Sequence, residues 1–162
     1  MPWKGPWKGM GAPVIFLVLS LLTSQARAAL PAEQSYHIDY HGRLATEVFI
    51  NGQGPFQFLI DTASSRSLMF EHVRQRLNLT QAQPGRMTVY GINDVADVMP
   101  VRPQELRVAG ESVSDLIMGV LPDTGTSNPD GILGVDVLSR YFVVLDRSTM
   151  RIKLLPPGDT RA

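Results

Sequence analysis

The 162-residue chain has no cysteine, no excess of either charge, and no apolar run long enough to cross a bilayer. Without cysteine it has neither a disulfide nor a thiol nucleophile. Its 15 basic residues are balanced by 15 acidic ones, so charge does not favour nucleic-acid binding. The histidines do not follow a metal-ligand spacing, and we predict neither a metal site nor a cofactor. The three are His37, His41 and His72.

The composition is typical of one soluble globular domain. The length allows one domain with a substantial core but hardly two. Apolar residues make up 44% and charged residues 19% of the chain, which is ordinary for such a domain. Twelve prolines and fourteen glycines predict many turns, and therefore short strands rather than long helices.

The N-terminus has the three parts of a secretory signal peptide. Lys4 and Lys8 precede an apolar run from Val14 to Leu22, and Ala26-Arg27-Ala28 follows as a cleavage site of small residues. We therefore predict a signal peptide over residues 1–28 and export to the periplasm or the medium, with no stable membrane span after cleavage. An uncleaved anchor is the alternative. Removing three basic residues leaves 12 against 15 acidic ones, a formal charge of −3.

Short apolar or alternating segments separated by turn signals follow along the chain and predict a small β-barrel or sandwich. We expect a leader and first strand over 29–44, one domain over 45–155, and a flexible tail over 156–162. Residues 105–108 should pair with 113–121. Strands are predicted at 36–40, 45–50, 56–60, 86–90, 95–98, 105–108, 113–121, 141–145 and 151–155, and helices at 71–78 and 135–140.

Two segments place a threonine directly after an aspartate, at Asp61 and at Asp123. A carboxylate that activates water must be held rigidly, be partly shielded from solvent, and share a proton with a second carboxylate. An apolar strand should therefore lead into it. A tight turn with a small residue and a nearby hydroxyl should follow it.

The segment around Asp61 meets these demands, whereas the segment around Asp123 does not. Leu59 and Ile60 lead into Asp61, Ala63 is small, and Ser65 supplies a hydroxyl. Asp123 follows a proline, which breaks a strand's hydrogen bonding, and no buried strand resumes after it. We predict Asp61 as the working aspartate and assign the second motif to turn formation.

Together with two further segments, this pattern resembles the retropepsin-like aspartic proteases, small exported bacterial relatives of retroviral proteases. Asp130–Leu138 resembles the second signature of that family, with Ile132, Leu133 and Gly134 before a short helix. The hairpin around Tyr90 lies where the family has its substrate-covering flap. The resemblance spans about 45–155. It implies an all-β, closed barrel with a flap hairpin and one or two short helices.

The resemblance also implies an aspartic endopeptidase that acts on a peptide or protein substrate. It implies a homodimer in which one Asp61 from each subunit activates a shared water. Thr62 would hydrogen-bond across the dimer, and Ser65 would orient the carboxylate. Ala63 replaces the family's usual glycine. The flap that closes over the peptide would comprise Tyr90, Gly91, Ile92 and Asn93.

Other interpretations stay open from the sequence. The fold can serve as a catalytically idle peptide-binding or assembly module in the cell envelope, either because dimers do not form or because Ala63 restricts the turn. The chain can also be an unrelated small β-barrel with a chance Asp-Thr, or combine Asp61 and Asp123 as a pair within one chain. Asp136, in the predicted second helix, is interpreted as a cap or a surface charge.

Overall fold

The structure of the protein is a computed structural model that describes residues 33–91, 95–123, 125 and 129–158. Short strands dominate it, with two short helices, so the predicted all-β class is confirmed. The strands are β1 (Glu33–Ile38), β2 (Leu44–Ile50), β3 (Gln53–Ile60), β4 (Leu68–Phe70), β5 (Met87–Tyr90), β6 (Val95–Val101), β7 (Leu106–Val108), β8 (Glu111–Val113), β9 (Met118–Leu121), β10 (Gly131–Leu133), β11 (Phe142–Asp146) and β12 (Arg151–Leu155). The helices are α1 (Glu71–Arg76) and α2 (Val135–Leu138).

The strands form one barrel-like sheet in the order β11-β12-β1-β2-β3-β10-β4-β9-β6-β5. A branch, β7 with β8, pairs with β2. The path has two ends, β11 and β5, so backbone pairing does not close the barrel over the residues described. The predicted barrel-like architecture is confirmed, but the sheet is open rather than closed.

Three adjacent strands in the middle of this order position the end of β3. Strand β10 runs parallel to β3, with Leu133 opposite Ile60. It runs antiparallel to β4 on its other side, with Ile132 opposite Leu68. Parallel strands end at the same edge of a sheet, so the residues that follow β3 and β10 come together there.

A large apolar core lies beneath this edge and a smaller cluster lies beside it. Phe56 and Phe58 of β3 are almost completely buried in the large core. Each such side chain contributes about 2 kcal/mol through burial. The smaller cluster joins Leu68 of β4 to Val89 of β5 and Val98 of β6. Strands β5 and β6 form a hairpin, called the flap hairpin below, and this cluster packs it against β4.

The predicted pairing of residues 105–108 with 113–121 is only partly right. Leu106 pairs with Val113 in the short β7–β8 hairpin, but the second predicted strand is interrupted. Asp115 has a φ of 54°, in the left-handed region, and this residue turns the chain away from β7. The continuation, β9, pairs with β4 and β6 instead.

Several element boundaries differ from the prediction. Helix α1 ends at Arg76, and Asn78 has a φ of 51°, which does not continue a helix. Strand β1 begins at Glu33, inside the predicted leader, and pairs with both β12 and β2. The predicted signal peptide and residues 159–162 of the predicted tail lie outside the described residues. Within the part of the chain that is described, no helix has the length and apolarity to span a membrane.

Candidate active site

Asp61 follows the last residue of β3 and is held by both its main chain and its side chain. Its N–H donates to the carbonyl of Leu133 at 3.0 Å, which extends the pairing of β3 with β10. Its Oδ1 accepts a hydrogen bond from the N–H of Ala63 at 2.8 Å. The residue is half-buried. The strand therefore delivers a fixed and partly shielded carboxylate.

Residues 61–67 form a tight turn, called the Asp61 turn below, that is tied to the start of α2. Thr62 is exposed and Ala63 is half-buried. Ser64 is buried, and its hydroxyl donates to the carbonyl of Arg66 at 2.7 Å. The carbonyl of Ser64 accepts from the N–H of Val135 at 3.0 Å. Bonds within the turn and to the neighbouring helix thus fix its shape.

The second signature supplies the surface on which this turn rests. Ile132 is half-buried, and Leu133 is fully buried and bonded to Asp61. At Gly134, a Cβ atom would lie 2.5 Å from the main-chain carbonyl of Arg66 and 2.9 Å from the Ser64 oxygen. Only glycine leaves room for this close approach of two backbones, since real Cβ contacts do not fall below 3.0 Å.

Ser67 and Asp136 form a polar link behind the turn that sequence reasoning missed. The N–H and the hydroxyl of Ser67 both donate to Asp136 Oδ1, at 2.8 and 2.7 Å. The same hydroxyl accepts from the N–H of Gly134 at 3.0 Å. Asp136 is half-buried and therefore not a surface charge, and it is not the cap either, because the N-cap residue of α2 is Gly134. The nearest sequence signal was an acidic residue two positions after Gly134, but 69 residues separate it from Ser67.

Ser65 contacts the flap hairpin, where the resemblance had implied a bond to the Asp61 carboxylate. The Ser65 hydroxyl accepts from the N–H of Tyr90 at 2.9 Å, and the Ser65 N–H donates to the Tyr90 carbonyl at 2.9 Å. The carboxylate of Asp61 has the Ala63 N–H as its partner instead. Of the other predicted flap residues, Gly91 is exposed, while Ile92 and Asn93 lie outside the described residues.

A cleft of about 470 Å³ lies between the Asp61 turn and the flap hairpin. Its walls are mostly apolar side chains contributed by five separate strands. Sequence reasoning missed most of these residues, because each is an ordinary strand residue with no local sign of a binding role. The lining consists of Asp61, Ser64, Leu68, Val89, Gly91, Val95, Ala96, Leu121 and Ile132.

Asp123 is not among the cleft residues and binds His72 on α1 instead. Its Oδ1 lies 2.6 Å from His72 Nδ1, while Asp130 Oδ1 lies 2.9 Å from His72 Nε2. The imidazole thus joins the two ends of the segment between β9 and β10. The Asp123 carboxylate thus contacts His72, and the described residues show no pairing of Asp123 with Asp61 in one chain.

The His72 contacts make the stability of the protein depend on pH. Burial lowers the pKa of His72, but the hydrogen bonds that its ring donates to Asp123 and Asp130 outweigh this effect and raise the pKa above the ordinary 6.5. Only the imidazolium donates from both ring nitrogens. The stabilisation is therefore complete below pH 6.5 and is lost as the pH rises through the raised value.

We expect His72→Gln to lower the free energy of unfolding by at most about 1 kcal/mol at mildly acidic pH, because all three side chains are partly exposed. The difference from wild type should shrink as the pH becomes alkaline. Urea denaturation across this range measures it. His37→Gln, at an exposed position of β1, is the control. A difference that grows with pH would contradict the assignment.

No group of three or more His, Cys, Asp or Glu side chains in the described ranges is arranged to hold a metal ion.

Comparison with known proteins identifies the family from a sequence model and the fold from a solved structure. A family model described as aspartyl protease matches residues 46–137, more than half of the chain. A search of curated proteins finds no match. A solved retropepsin-like aspartic protease from Rickettsia conorii has a TM-score of 0.57 and 18% identity, over 75% of this chain and 89% of that one.

A second solved structure is the retroviral protease-like domain of Ddi1 from Leishmania major. It has a TM-score of 0.45 and 16% identity, over 72% of this chain and 97% of that domain. The resemblance inferred from the sequence motifs is confirmed, and the chance-motif alternative is wrong. The chain belongs to the aspartyl protease family and has a retropepsin-like fold.

Proposed function

We propose that the protein is an aspartic endopeptidase whose catalytic pair forms between two copies of the chain, with one Asp61 from each. One observation carries this proposal. Asp61 is the only ionisable side chain among the described residues that line the cleft. The described residues of each chain thus offer the cleft one carboxylate, whereas the chemistry of this family needs two.

A single carboxylate is insufficient because the two catalytic roles need opposite protonation states. One carboxylate must be ionised to accept a proton from water, and the other must be protonated to polarise the peptide carbonyl. Asp123 is engaged with His72 outside the cleft. The second carboxylate would therefore come from another copy of the chain, and Thr62 is exposed beside Asp61, where a partner can contact it.

The proposed reaction adds one water across a peptide bond. The ionised Asp61 accepts a proton from the water as its oxygen attacks the carbonyl carbon. The protonated Asp61 of the other copy donates to the carbonyl oxygen. The C–N bond then breaks as the amine nitrogen receives the proton that the first Asp61 took from water, while the second Asp61 takes back a proton from a hydroxyl of the tetrahedral diol. Two carboxyl groups that share a water do not both ionise easily, because their negative charges repel, so the pair would titrate as a unit.

The cleft supports an extended peptide as the substrate. Its apolar walls would exclude water from around the reacting bond, and exclusion of water strengthens the electrostatic effect of the carboxylates. Ser64 contributes the only other polar side chain among the described lining residues. The alternative function as an idle binding module would use the same cleft without cleavage.

We also propose that the protein works outside the cytoplasm, in the periplasm or the medium. The basic start, the apolar run from Val14 to Leu22 and the small-residue site at Ala26–Ala28 support this location.

Mixing wild-type and Asp61→Asn subunits tests whether the pair forms between copies. If the two forms are combined in denaturant and refolded together with a fivefold excess of the variant, about one sixth of wild-type subunits find a wild-type partner by random pairing. We therefore expect cleavage of a fluorogenic peptide library to fall to about one sixth, because mixed dimers lack one carboxylate.

An excess of Asp123→Asn subunits is the matched control. It adds active subunits, so cleavage should rise instead of falling. Cleavage that stays proportional to the wild-type protein, whatever the excess of Asp61→Asn, would show that each chain works alone and would refute the shared pair.

A further inference from the structure

The flap hairpin has one outer edge without a neighbouring strand in the described part of the chain. Strand β5 pairs with β6 from Met87 opposite Val98 to Tyr90 opposite Val95, and it ends the strand order of the sheet. On its inner side, Val89 packs against Leu68. This apolar contact packs the hairpin against β4. It does not by itself fix the position of the hairpin along the cleft, because hydrophobic contacts are not directional.

Ser65 occupies that outer edge at the last residue of β5. The N–H of Tyr90 donates to the Ser65 hydroxyl at 2.9 Å, and the carbonyl of Tyr90 accepts from the Ser65 N–H at 2.9 Å. Both polar main-chain groups of Tyr90 are thus bonded to one residue of the Asp61 turn. Ser65 therefore bonds to Tyr90 as a residue of a neighbouring strand would, except that its hydroxyl, and not its carbonyl, accepts from the Tyr90 N–H.

Ser65 is itself in a fixed position relative to Asp61. The preceding residue, Ser64, is buried and bonded to Arg66 and to Val135. Ser65 lies four residues after Asp61 in the same turn. A flap strand bonded to Ser65 is therefore held at a defined distance from the carboxylate. Gly91, the next residue after Tyr90, lines the cleft.

We propose that Ser65 is a positioning residue that latches the flap strand to the Asp61 turn. This role rests on the proposed peptidase function and differs from orientation of the carboxylate. The latch holds the flap over the cleft before substrate arrives, so that binding does not have to order it. Loss of the hydroxyl leaves only the bond from the Ser65 N–H to the Tyr90 carbonyl, and a looser flap weakens substrate binding.

Ser65→Ala tests the latch with two measurements. Hydrogen exchange of the Tyr90 amide should become about fivefold faster, which corresponds to about 1 kcal/mol, the typical net value of one hydrogen bond. The KM for a peptide substrate should rise by about the same factor, while kcat stays within about twofold. The pH profile of kcat should not change, because the hydroxyl does not contact the carboxylate.

Two variants act as controls. Ser65→Thr keeps an acceptor and should restore both the slow exchange and the low KM. Ser112→Ala removes the hydrogen bond that an exposed serine of β8 donates to Glu105, and it should leave both the exchange and the KM unchanged. If Ser65→Ala does not fold, Tyr90 exchange in Ser65→Val is compared with that in Ser65→Thr, two side chains of the same shape.

Where wild type cleaves the peptide, the latch is refuted if Ser65→Ala leaves either the Tyr90 exchange or the KM unchanged. It is also refuted if kcat falls and the acidic limb of its pH profile shifts, as a carboxylate-orienting role would require. Failure of the proposed function gives a different result. In that case wild type and every variant lack cleavage, and the exchange of the Tyr90 amide still decides the latch.

Discussion

Replacing Asp61 by asparagine should abolish peptide cleavage, with a loss of at least about 10⁴-fold in kcat, the upper range for a positioned acid or base. Asparagine has nearly the same shape, and its oxygen can still accept from the Ala63 N–H. It cannot take a proton from water or donate one to the peptide. The fold should therefore persist while the chemistry is lost. Initial rates on a peptide library at acidic and neutral pH measure the effect.

Asp123→Asn is the matched control, since it changes the same atom in the other Asp-Thr motif. Asp123 bonds to His72 away from the cleft, so cleavage should stay within about twofold of wild type and only stability should change slightly. Residual cleavage by Asp61→Asn, or its loss in Asp123→Asn, would show that the wrong aspartate has been assigned. Equal inactivity of wild type and both variants would favour the idle binding module.

Gly134→Ala should destabilise the protein by about 3 kcal/mol and reduce kcat by about 100-fold. The added methyl group would lie 2.5 Å from the main-chain carbonyl of Arg66. Backbone cannot rotate away as a flexible side chain can, so the Asp61 turn has to shift. A displacement of about 1 Å in a catalytic group is enough for such a loss of rate. Denaturant unfolding and steady-state kinetics measure the two effects.

Gly42→Ala is the control that separates a steric clash from the backbone strain of replacing a glycine. Gly42 has open space around it but a φ of 78°, so alanine should cost about 1 kcal/mol through backbone strain and leave kcat unchanged. Gly134 has a φ of −94°, which any residue adopts, so its larger cost would come from contact alone. Equal stability losses at the two positions would contradict the close approach of Gly134 to the turn.

Local patterns predicted most strands well. Apolar alternation in Ala45–Ile50 and the apolar run into Ile60 matched β2 and the end of β3, and Arg151–Leu155 matched β12 at both ends. Each signal lies within a few consecutive residues, because a strand alternates its side chains with a period of two. The strand predicted over 113–121 was too long, since a left-handed residue in its middle left no sign in the hydrophobic pattern.

Partners of polar side chains were predicted less well. The family resemblance implied that Ser65 orients the carboxylate of its own turn, but its hydroxyl accepts from Tyr90, 25 residues away. The sequence predicts Asp136 as a cap or a surface charge, but its carboxylate bonds to Ser67. A hydroxyl or carboxylate bonds with whichever donor or acceptor folding brings within about 3 Å, and spacing along the chain does not reveal that neighbour.

The sequence by itself determined that an apolar strand leads directly into Asp61, that a turn of small and hydroxyl residues follows, and that a proline separates the other Asp-Thr motif from the strand before it. These are local properties of strands and turns. The tertiary structure decided what surrounds the carboxylate: β10 beside β3, Gly134 against the Asp61 turn, and a mostly apolar cleft beneath the flap hairpin. It could decide this because sheet pairing joins segments about 70 residues apart, and their proximity depends on the packing of the whole domain.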